Sequence, residues 1–597
     1  MEHSHNHHNH HNHLAPGAAP IIGRVFEAAA ARELADAPER RAPHGLPFVG
    51  EVLAYRPGVS ITVARLLALD EDLFLADHNF VHAPGIKSLA ECFPVVPMTV
   101  SLEIMANSAA CLVPGYGLIG FEAVTARRWI AVADDGALAL RVEGRVAQYD
   151  ARHGRARIAV QVYAGGVPTP AIESALLFGT HYDAAPKPAP QLDGAVAMAD
   201  ATRLYADRHM FHGPRFQGLR GAIRLAADSA STELLVQSAH DWFVSESQPQ
   251  LLTDPALLDC VGQLIAVWAM QHGGVTYPVG LQRLDLYGPT PESGTLVPLR
   301  VRIAGQQMKM LSADVEIGDG AGGLWLRIGG WRSWQFNWAP QLVAFQRRPA
   351  NFLLSDTQAL PEAPAGNLCQ RLSAQRVAAL DLGVLARHCL HVSEMAEFAA
   401  KAAQPKRQLE WLLGRIAAKD AARAWSARAQ GATLALHPAA FAIERNRAGQ
   451  PQLRDWPQGL PAPCISIAHS DGQAIALASA VPAGIDIEQI TTHDAYFLAS
   501  FTTMAERQLL EAWRGAEHDA WITRLWCAKE ALGKRLGSGV DGTPRLFEAY
   551  ALGADGSLCM RHLSSGTEAR IVTIRDGEFI IAIDSPAATH ELEQTPC

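Results

Sequence analysis

The most constraining feature of this sequence is a pair of acidic residues inside an apolar run. Asp486 and Glu488 belong to the segment Gly-Ile-Asp-Ile-Glu at 484–488. If this segment is a strand, side chains two residues apart leave the same face of it. Two oxygen ligands would then point in one direction.

A charged helical segment follows roughly forty residues later. The helix predicted over 526–532 sets Lys529 beside Glu530, and it places Lys534 one turn beyond Glu530 on the same face. A third carboxylate and two cations can therefore converge on the acidic pair. Each half alone could be a solvated strand edge or a surface ion pair. Three carboxylates that hold Mg²⁺ beside lysines, however, suit a substrate that carries a pyrophosphate.

Four further motifs lie in order around this stretch: Trp411-Leu-Leu-Gly-Arg-Ile-Ala-Ala-Lys419, Gly449-Gln-Pro451, Ser466-Ile-Ala-His-Ser470 and Phe501-Thr-Thr-Met-Ala-Glu506. Together with the acidic pair and the pattern Trp-x-x-Lys-Glu-x-x-x-Lys at 526–534, they resemble the signature of the Sfp-type 4'-phosphopantetheinyl transferases. The resemblance covers about residues 365–590 and implies a two-lobed α/β domain that takes coenzyme A as its substrate. One departure is Gln450, where the family usually has Lys or Arg.

The resemblance also implies roles for individual residues. The expected Mg²⁺ ligands are Asp486, Glu488 and Glu530. The expected coenzyme A contacts are Arg415, Lys419, His469 and Lys529. Lys534 would offset charge on the leaving group, and Glu530 would take the proton of the acceptor serine, directly or through a water molecule. Glu506 resembles another acidic position of the family, so the choice of base between Glu530 and Glu506 stays open.

The N-terminal half contains a second set of candidate residues. His78 follows an apolar run and precedes a helical pattern that begins after Pro97. Asp259 and Gln263 lie one turn apart on a second predicted helix, and alternating apolar runs after each helix predict antiparallel strands. The N-terminal half of the chain therefore contains the same order twice, a candidate residue near a helix and then antiparallel strands.

The segment Gly213-Pro-x-Phe-Gln-Gly218 and the spacing of Asp259 and Gln263 resemble the dehydratase domain of polyketide and polyunsaturated fatty acid synthases. The resemblance covers about residues 47–345 and implies a double hotdog, with one hotdog over 47–183 and the other over 195–345. The expected fold class of the whole chain is thus α+β.

In such a dehydratase, removal of water from a β-hydroxyacyl thioester needs a base for the α-proton and an acid for the leaving hydroxyl. The resemblance makes His78 the base and Asp259 the acid, with Gln263 orienting the carboxyl or the hydroxyl. The sequence departs from the family at His82, which occupies a glycine position, and at His212, where Tyr is common. We expect His82, His209 and His212 to be structural or peripheral.

Composition narrows the possible partners and the cellular location of the protein. A net charge of -9 does not favour nucleic acid as partner, and nine cysteines without a Cys-x-x-Cys pair fit a reducing compartment. No apolar run approaches the roughly 18 residues that span a membrane, so a cytoplasmic location is expected. The His/Asn-rich start is interpreted as an affinity tag, with a metal-buffering tail as the alternative, inside a tag and linker over 1–46. Another linker is expected over 346–364.

We therefore expect a two-enzyme piece of a polyketide or fatty acid type synthase, organised like the C-terminus of enediyne-type iterative synthases. Its partners would be an acyl carrier protein and other synthase domains, and the hotdog units could pair two copies into a homodimer. Whether it is excised from a larger polypeptide or free-standing stays open. The alternative functions for the hotdog half are a non-catalytic carrier-docking or dimerisation module, and an isomerase or cyclase that uses the same acid and base.

Overall fold

The computed structural model describes residues 45–132, 135–190, 195–360, 366–540 and 542–584. They form two compact units, one of residues 45–80 and 88–338 and the other of residues 81–87 and 339–584. The expected tag and linker lies outside the described residues, except for its last two positions. Within the described ranges, no helix has the length and apolar character needed to cross a bilayer.

The first unit is built on one antiparallel sheet of thirteen strands, in the order β1-β2-β4-β5-β6-β3-β10-β13-β12-β11-β9-β8-β7. The strands are β1 Glu51–Arg56, β2 Ser60–Ala68, β3 Gly117–Ala126, β4 Ala137–Asp150, β5 Arg155–Ala164, β6 Ile172–Gly179, β7 Val196–Asp200, β8 Leu219–Ala226, β9 Ser229–Leu235, β10 Val275–Leu286, β11 Leu296–Gln307, β12 Met310–Gly318 and β13 Leu324–Phe336. The helices are α1 Met98–Ala110, α2 Ala201–Ala206 and α3 Pro255–Gln271, with 3-10 turns at Leu73–Asp77, Leu89–Cys92 and Pro214–Phe216.

Each half of this sheet encloses one long helix. Helix α1 is buried along its whole length and packs on β2 to β6, whereas α3 packs on β8 to β11. Helix α3 begins sharply because Asp254 accepts a hydrogen bond from Leu257 N and Pro255 occupies the first helical position. Strands β3 and β10 pair in register from Gly280–Thr125 to Asp285–Gly120 and join the halves into one sheet. The expected double hotdog is confirmed.

The second unit contains three antiparallel sheets, β14-β15-β19-β18, β16-β17 and β20-β24-β23-β22-β21. The strands are β14 Asp356–Thr357, β15 Leu368–Ser373, β16 Ala442–Arg445, β17 Pro451–Arg454, β18 Cys464–Ser470, β19 Gln473–Ser479, β20 Gly484–Gln489, β21 Phe547–Leu552, β22 Leu558–His562, β23 Thr567–Asp576 and β24 Phe579–Asp584. The helices are α4 Pro340–Arg347, α5 Ala374–Val377, α6 Leu382–Cys389, α7 Met395–Ala400, α8 Pro405–Ala429, α9 Ala495–Phe501, α10 Met504–Leu510 and α11 Ala516–Leu536, with 3-10 turns at Val392–Glu394, Pro438–Ala440 and Pro544–Leu546.

Two long helices define the lobes of this unit. Helix α8 packs on β15, β18 and β19, and α11 packs on β20, β23 and β24. Gly484 allows α11 to approach closely, because a Cβ there would lie 1.8 Å from Ala531 O. The predicted α+β class with a two-lobed second domain is confirmed.

The expected linker over 346–364 needs a correction for its described residues 346–360. This segment belongs to the second unit, where Leu354 N and Ser355 N both donate to Asp420 Oδ2 on α8. The guanidinium of Arg423 donates to three carbonyls of the same segment. The described part of the segment is thus anchored to helix α8 of the second unit.

Candidate active sites

His78 is the first candidate residue of the N-terminal unit, and it directly follows the 3-10 turn Leu73–Asp77. Its Nδ1 lies 2.6 Å from Val95 O, an acceptor only, so Nδ1 carries the proton and donates it. Nε2 then keeps a lone pair that can accept another proton. Burial lowers the pKa of His78 to about 4, although nearby Asp259 opposes this shift. His78 is therefore a neutral imidazole at neutral pH.

Asp259 and Gln263 lie one turn apart on α3, as the sequence predicted. Gln263 Nε2 donates to Asp259 Oδ2 over 2.9 Å. Burial acts to raise the pKa of Asp259, but the charge and hydrogen bond of His212, with smaller effects of His78 and Gln263, lower it overall. Ligand-type atoms of His78, His212 and Asp259 all lie within 4.8 Å of one another. The structure thus brings the expected base and acid together.

The position of His212 corrects the expectation that this residue is structural or peripheral. Its Nε2 lies 3.1 Å from Asp259 Oδ2, and its ring centroid lies 5.3 Å from that of His78. The available signal was its position directly before Gly213-Pro214, a motif that belongs to the site. Distance along the chain hid the contact, because His212 precedes Asp259 by 47 residues and follows His78 by 134.

These residues line a cavity of about 110 Å³. The lining includes the aromatic side chains Phe80, Trp129, Phe211 and Tyr277. Phe80 stacks on Trp129, and Phe211 stacks on His212 with ring centroids 4.1 Å apart. His82 and His209 are not among the lining residues. A small, aromatic-walled cavity excludes bulk water from the imidazole and the carboxylate, which strengthens the electrostatic interactions inside it.

The second site lies where α11 crosses β20. Gly484, Asp486 and Glu488 alternate with the buried Ile485 and Ile487 along β20, so the two carboxylates share the face on which α11 packs.

From α11, Lys534 Nζ donates to Asp486 Oδ1 over 2.7 Å and to Ile485 O over 3.2 Å. Glu530 lies one turn before Lys534, and its charge acts to raise the pKa of that lysine, though less strongly than Asp486 does. The predicted convergence of the acidic pair with Lys534 is thus present in the structure.

The donor set at this point fits a divalent cation. Asp486 Oδ2 is buried and has no hydrogen-bond partner. Glu488 accepts a hydrogen bond from Ser470 Oγ over 2.7 Å. Burial, and after it the charge of Asp486, raise the pKa of Glu488. Paired carboxylates at this spacing repel one another, and a hard cation with oxygen ligands would relieve that repulsion.

A cavity of about 740 Å³ adjoins Lys534. Its lining includes the basic side chains Arg415, Arg445 and His469, and also Gln450 at the position that departs from the family. Arg415 lies over the ring of Trp411 at 4.9 Å, and its buried Nε has no hydrogen-bond partner. Burial lowers the pKa of His469. This cavity is large enough for a nucleotide and has cationic walls.

Two of the lysines that were expected to contact coenzyme A do not line this cavity. Lys419 is completely buried, where its Nζ donates to Pro438 O over 2.9 Å and pairs with Glu394 over 2.7 Å. Lys529 is also completely buried and pairs with Glu506 over 2.9 Å. Because neither lysine reaches the cavity, the expectation that they contact coenzyme A is corrected.

The expectation that Glu506 could be the base is also corrected. Its two carboxylate oxygens accept hydrogen bonds from Thr503 N, Ala549 N and Lys529 Nζ, each over 2.8 to 2.9 Å. Only 1% of the residue is exposed. A carboxylate that is fully used by buried donors acts as a structural anchor rather than as a proton acceptor for a substrate.

Comparison with known proteins finds one matching family model in each unit. The family model described as the polyketide synthase dehydratase N-terminal domain matches residues 181–337, and that of the 4'-phosphopantetheinyl transferase superfamily matches residues 482–583. A polyunsaturated fatty acid synthase polypeptide from a Thraustochytrium species is 22% identical over 242 residues, which are 39% of this chain and 8% of that protein. The chain therefore spans less than a tenth of the length of this relative.

Dehydratase domains are among the solved structures that resemble about half of this chain. The dehydratase domain from the CurF module of curacin polyketide synthase is 15% identical, with a TM-score of 0.38, and the match covers 49% of this chain and all of that one. The dehydratase domain of RzxB from Pseudomonas fluorescens is 16% identical, with a TM-score of 0.37, and the match covers 49% of this chain and 99% of that one.

The fold and the family matches thus describe a chain of two domains, a double hotdog and a two-lobed α/β domain. More particularly, the first contains a region that matches the polyketide synthase dehydratase model, and the second contains a region that matches the 4'-phosphopantetheinyl transferase superfamily model.

Proposed function

We propose that the second unit transfers 4'-phosphopantetheine from coenzyme A to the serine hydroxyl of an acyl carrier protein. The observation that carries this proposal is the shared face of Asp486 and Glu488, with Lys534 bonded to it and a cationic cavity beside it. Arg415 and His469 would bind phosphates of the nucleotide. The unpartnered Nε of Arg415 supports this role, because it is a buried donor that a phosphate oxygen would satisfy.

Asp486, Glu488 and Glu530 would hold Mg²⁺, which would supply positive charge to the pyrophosphate. Glu530 is our candidate for the base that takes the serine proton, since Glu506 is used by buried donors. Lys534 would stabilise the negative charge that develops on the leaving adenosine 3',5'-bisphosphate. The serine oxygen would form a bond to the β-phosphate, and the bond from that phosphate to adenosine 3',5'-bisphosphate would break.

The test is the intact mass of an apo acyl carrier protein after incubation with this chain, coenzyme A and Mg²⁺. We expect a gain of one phosphopantetheine arm, and a loss of that gain in Glu530→Gln. The exposed Glu511 serves as the matched control, and Glu511→Gln should transfer like the wild type. Equal transfer by all three proteins would remove Glu530 from the reaction, and no transfer by any of them to several carriers would refute the proposed activity.

We also propose that the first unit dehydrates β-hydroxyacyl thioesters that are carried by an acyl carrier protein. Nε2 of His78 would take the α-proton. The pair of Asp259 and His212 would give a proton to the leaving hydroxyl. The observation that carries this proposal is a neutral imidazole and a carboxylate in one small cavity with aromatic walls. A module used only for carrier docking would have no need of this buried and costly arrangement.

Loss of water from a hydroxyacyl-loaded carrier, followed by intact mass, tests the dehydratase. We expect loss of water with the wild type and at least a hundredfold slower loss with His78→Ala, in keeping with the usual contribution of a general base. An unchanged rate in His78→Ala would refute the assignment.

A further inference from the structure

His212 occupies a place in the dehydratase cavity that its sequence context did not indicate. Nε2 of His212 contacts Asp259 Oδ2 at 3.1 Å, and its other nitrogen, Nδ1, is buried without a hydrogen-bond partner. The other charged or titratable groups around this ring are His78 and the ion pair of Asp77 with Arg215, which lies beside the following Gly213. Nε2 of His212 therefore contacts the Asp259 carboxylate, and Nδ1 can form a hydrogen bond with a bound substrate.

The hydrogen bonds around Asp259 fix the direction in which protons point. Leu219 N donates to the Tyr205 hydroxyl over 3.2 Å, so that hydroxyl donates its own proton to Gln263 Oε1 over 2.7 Å. The amide nitrogen of Gln263 must then face Asp259 Oδ2 and Phe216 O, to which it donates over 2.9 and 2.8 Å. Because its oxygen is already used by Tyr205, Gln263 cannot turn round to accept a proton from a carboxylic acid.

Asp259 Oδ2 thus receives two donors, Gln263 Nε2 and His212 Nε2. Hydrogen bonds donated to a carboxylate favour its charged form. Burial acts in the opposite direction, yet the net result is a lowered pKa for Asp259. An ionised carboxylate has no proton to give to a leaving hydroxyl. The proton that the dehydration needs must then reside on a neighbouring group.

We propose that His212 is the catalytic proton donor of the dehydratase, with Asp259 as the carboxylate that holds its imidazolium in place. This inference rests on the proposed dehydratase function of the first unit. In the reaction, Nε2 of His78 takes the α-proton, and the electrons of the broken C–H bond form the Cα–Cβ double bond. The Cβ–O bond breaks, and the hydroxyl oxygen takes the Nδ1 proton of His212 and leaves as water.

The reaction leaves His78 protonated and His212 neutral. One proton must therefore pass from the His78 ring to the His212 ring before the next turnover. The two ring centroids are 5.3 Å apart, a gap that the released water molecule can bridge. After that transfer both residues are in their starting states. No oxidant, reductant or further reactant is needed.

The test compares two substrates with the wild type, His212→Gln and His78→Ala. The first substrate is a β-hydroxyacyl thioester, and the second is the matching β-chloroacyl thioester, whose chloride leaves without a proton. We expect His212→Gln to lose water elimination by about 10²- to 10⁴-fold, the usual contribution of a general acid, and to keep chloride elimination. His78→Ala should lose both reactions, because both need the base.

The pH profile separates His212 from Asp259 as the donor. In the wild type, water elimination should fall on the alkaline side of the pH profile, where the proton donor has lost the proton that it must give. If His212 is the donor, the slow residual rate of His212→Gln should not fall on that alkaline side. A residual rate that still falls would assign the proton to Asp259 and overturn the proposal.

Two other results would also overturn it. Equal losses of water and chloride elimination in His212→Gln would show that His212 only maintains the cavity, and an unchanged rate of water elimination would remove it from the reaction. Failure of the proposed function is distinguishable, since the wild type would then eliminate water from no hydroxyacyl substrate.

Discussion

Replacing Glu506 by Gln separates an anchoring role of this residue from a catalytic one. Its two oxygens accept three hydrogen bonds, from Thr503 N, Ala549 N and Lys529 Nζ. Glutamine offers one oxygen, so at least one buried donor loses its acceptor and the charge of Lys529 loses its partner. Removal of one member of a buried ion pair costs about 3–5 kcal/mol, which is a large part of the roughly 5–15 kcal/mol that holds a domain folded.

This cost should depend on pH. Burial lowers the pKa of Lys529, and Glu506 opposes that shift in the wild type. In Glu506→Gln the folded-state pKa falls further below the unfolded value, so the unfolded state binds more protons than the folded state between the two values. Stability of the variant should therefore rise with pH over that window.

The assay is urea unfolding of the full chain followed by hydrogen exchange in peptides of α11 and β21, which carry Lys529 and Ala549. We expect the protection of these peptides to be lost at a lower urea concentration in Glu506→Gln. The double variant Glu506→Gln/Lys529→Met should recover much of the difference, because it leaves no buried charge. Normal protection together with abolished transfer would refute the reasoning and return Glu506 to the role of base.

Three further outcomes follow from the two sites. On the acid side of the pH profile, dehydration should decline near pH 4, because protonation of His78, whose pKa is about 4, removes the base; an acid-side decline centred near the ordinary histidine pKa of about 6.5 would contradict the buried geometry. Lys534→Met should lower kcat for the transfer by roughly 10- to 100-fold, the equivalent of a lost charged hydrogen bond, with a smaller change in the KM for coenzyme A, and steady-state kinetics measure both. Gly484→Ala should lower the Tm and transfer, because its Cβ would lie 1.8 Å from Ala531 O. Gly366→Ala, with open space around it, should behave as wild type in thermal unfolding.

The sequence predicted those contacts that follow from local geometry. Strand periodicity is two residues, which is enough to set Asp486 and Glu488 on one face without knowledge of the rest of the chain. Helical periodicity likewise related Glu530 to Lys534 and Asp259 to Gln263. The repeat of one helix with alternating strands could also be predicted from the sequence, whereas the double hotdog itself was implied by the resemblance to dehydratases.

The predictions that needed correction depended on which face of a helix packs inward. Lys529 adjoins Glu530 in the sequence, but neighbouring helical residues point about 100° apart. Lys534 contacts Asp486 on β20, whereas Lys529 lies on another side of the helix and contacts Glu506. His212 was missed for a related reason, since only the packing of its loop against α3 brings it to Asp259.

Helix α8 shows how a basic residue can serve a phosphate site that it does not touch. Arg415 and Lys419 lie one turn apart on the buried face, and Glu394 lies between them. Lys419 Nζ contacts one oxygen of Glu394 at 2.7 Å, whereas Arg415 Nε remains 3.7 Å from the other, which already accepts Ile443 N. Lys419 therefore takes up the charge of Glu394, and it leaves a guanidinium nitrogen of Arg415 without a hydrogen bond at the wall of the cavity. A buried lysine that neutralises the competing carboxylate is as necessary for a cationic cavity as the arginine that lines it.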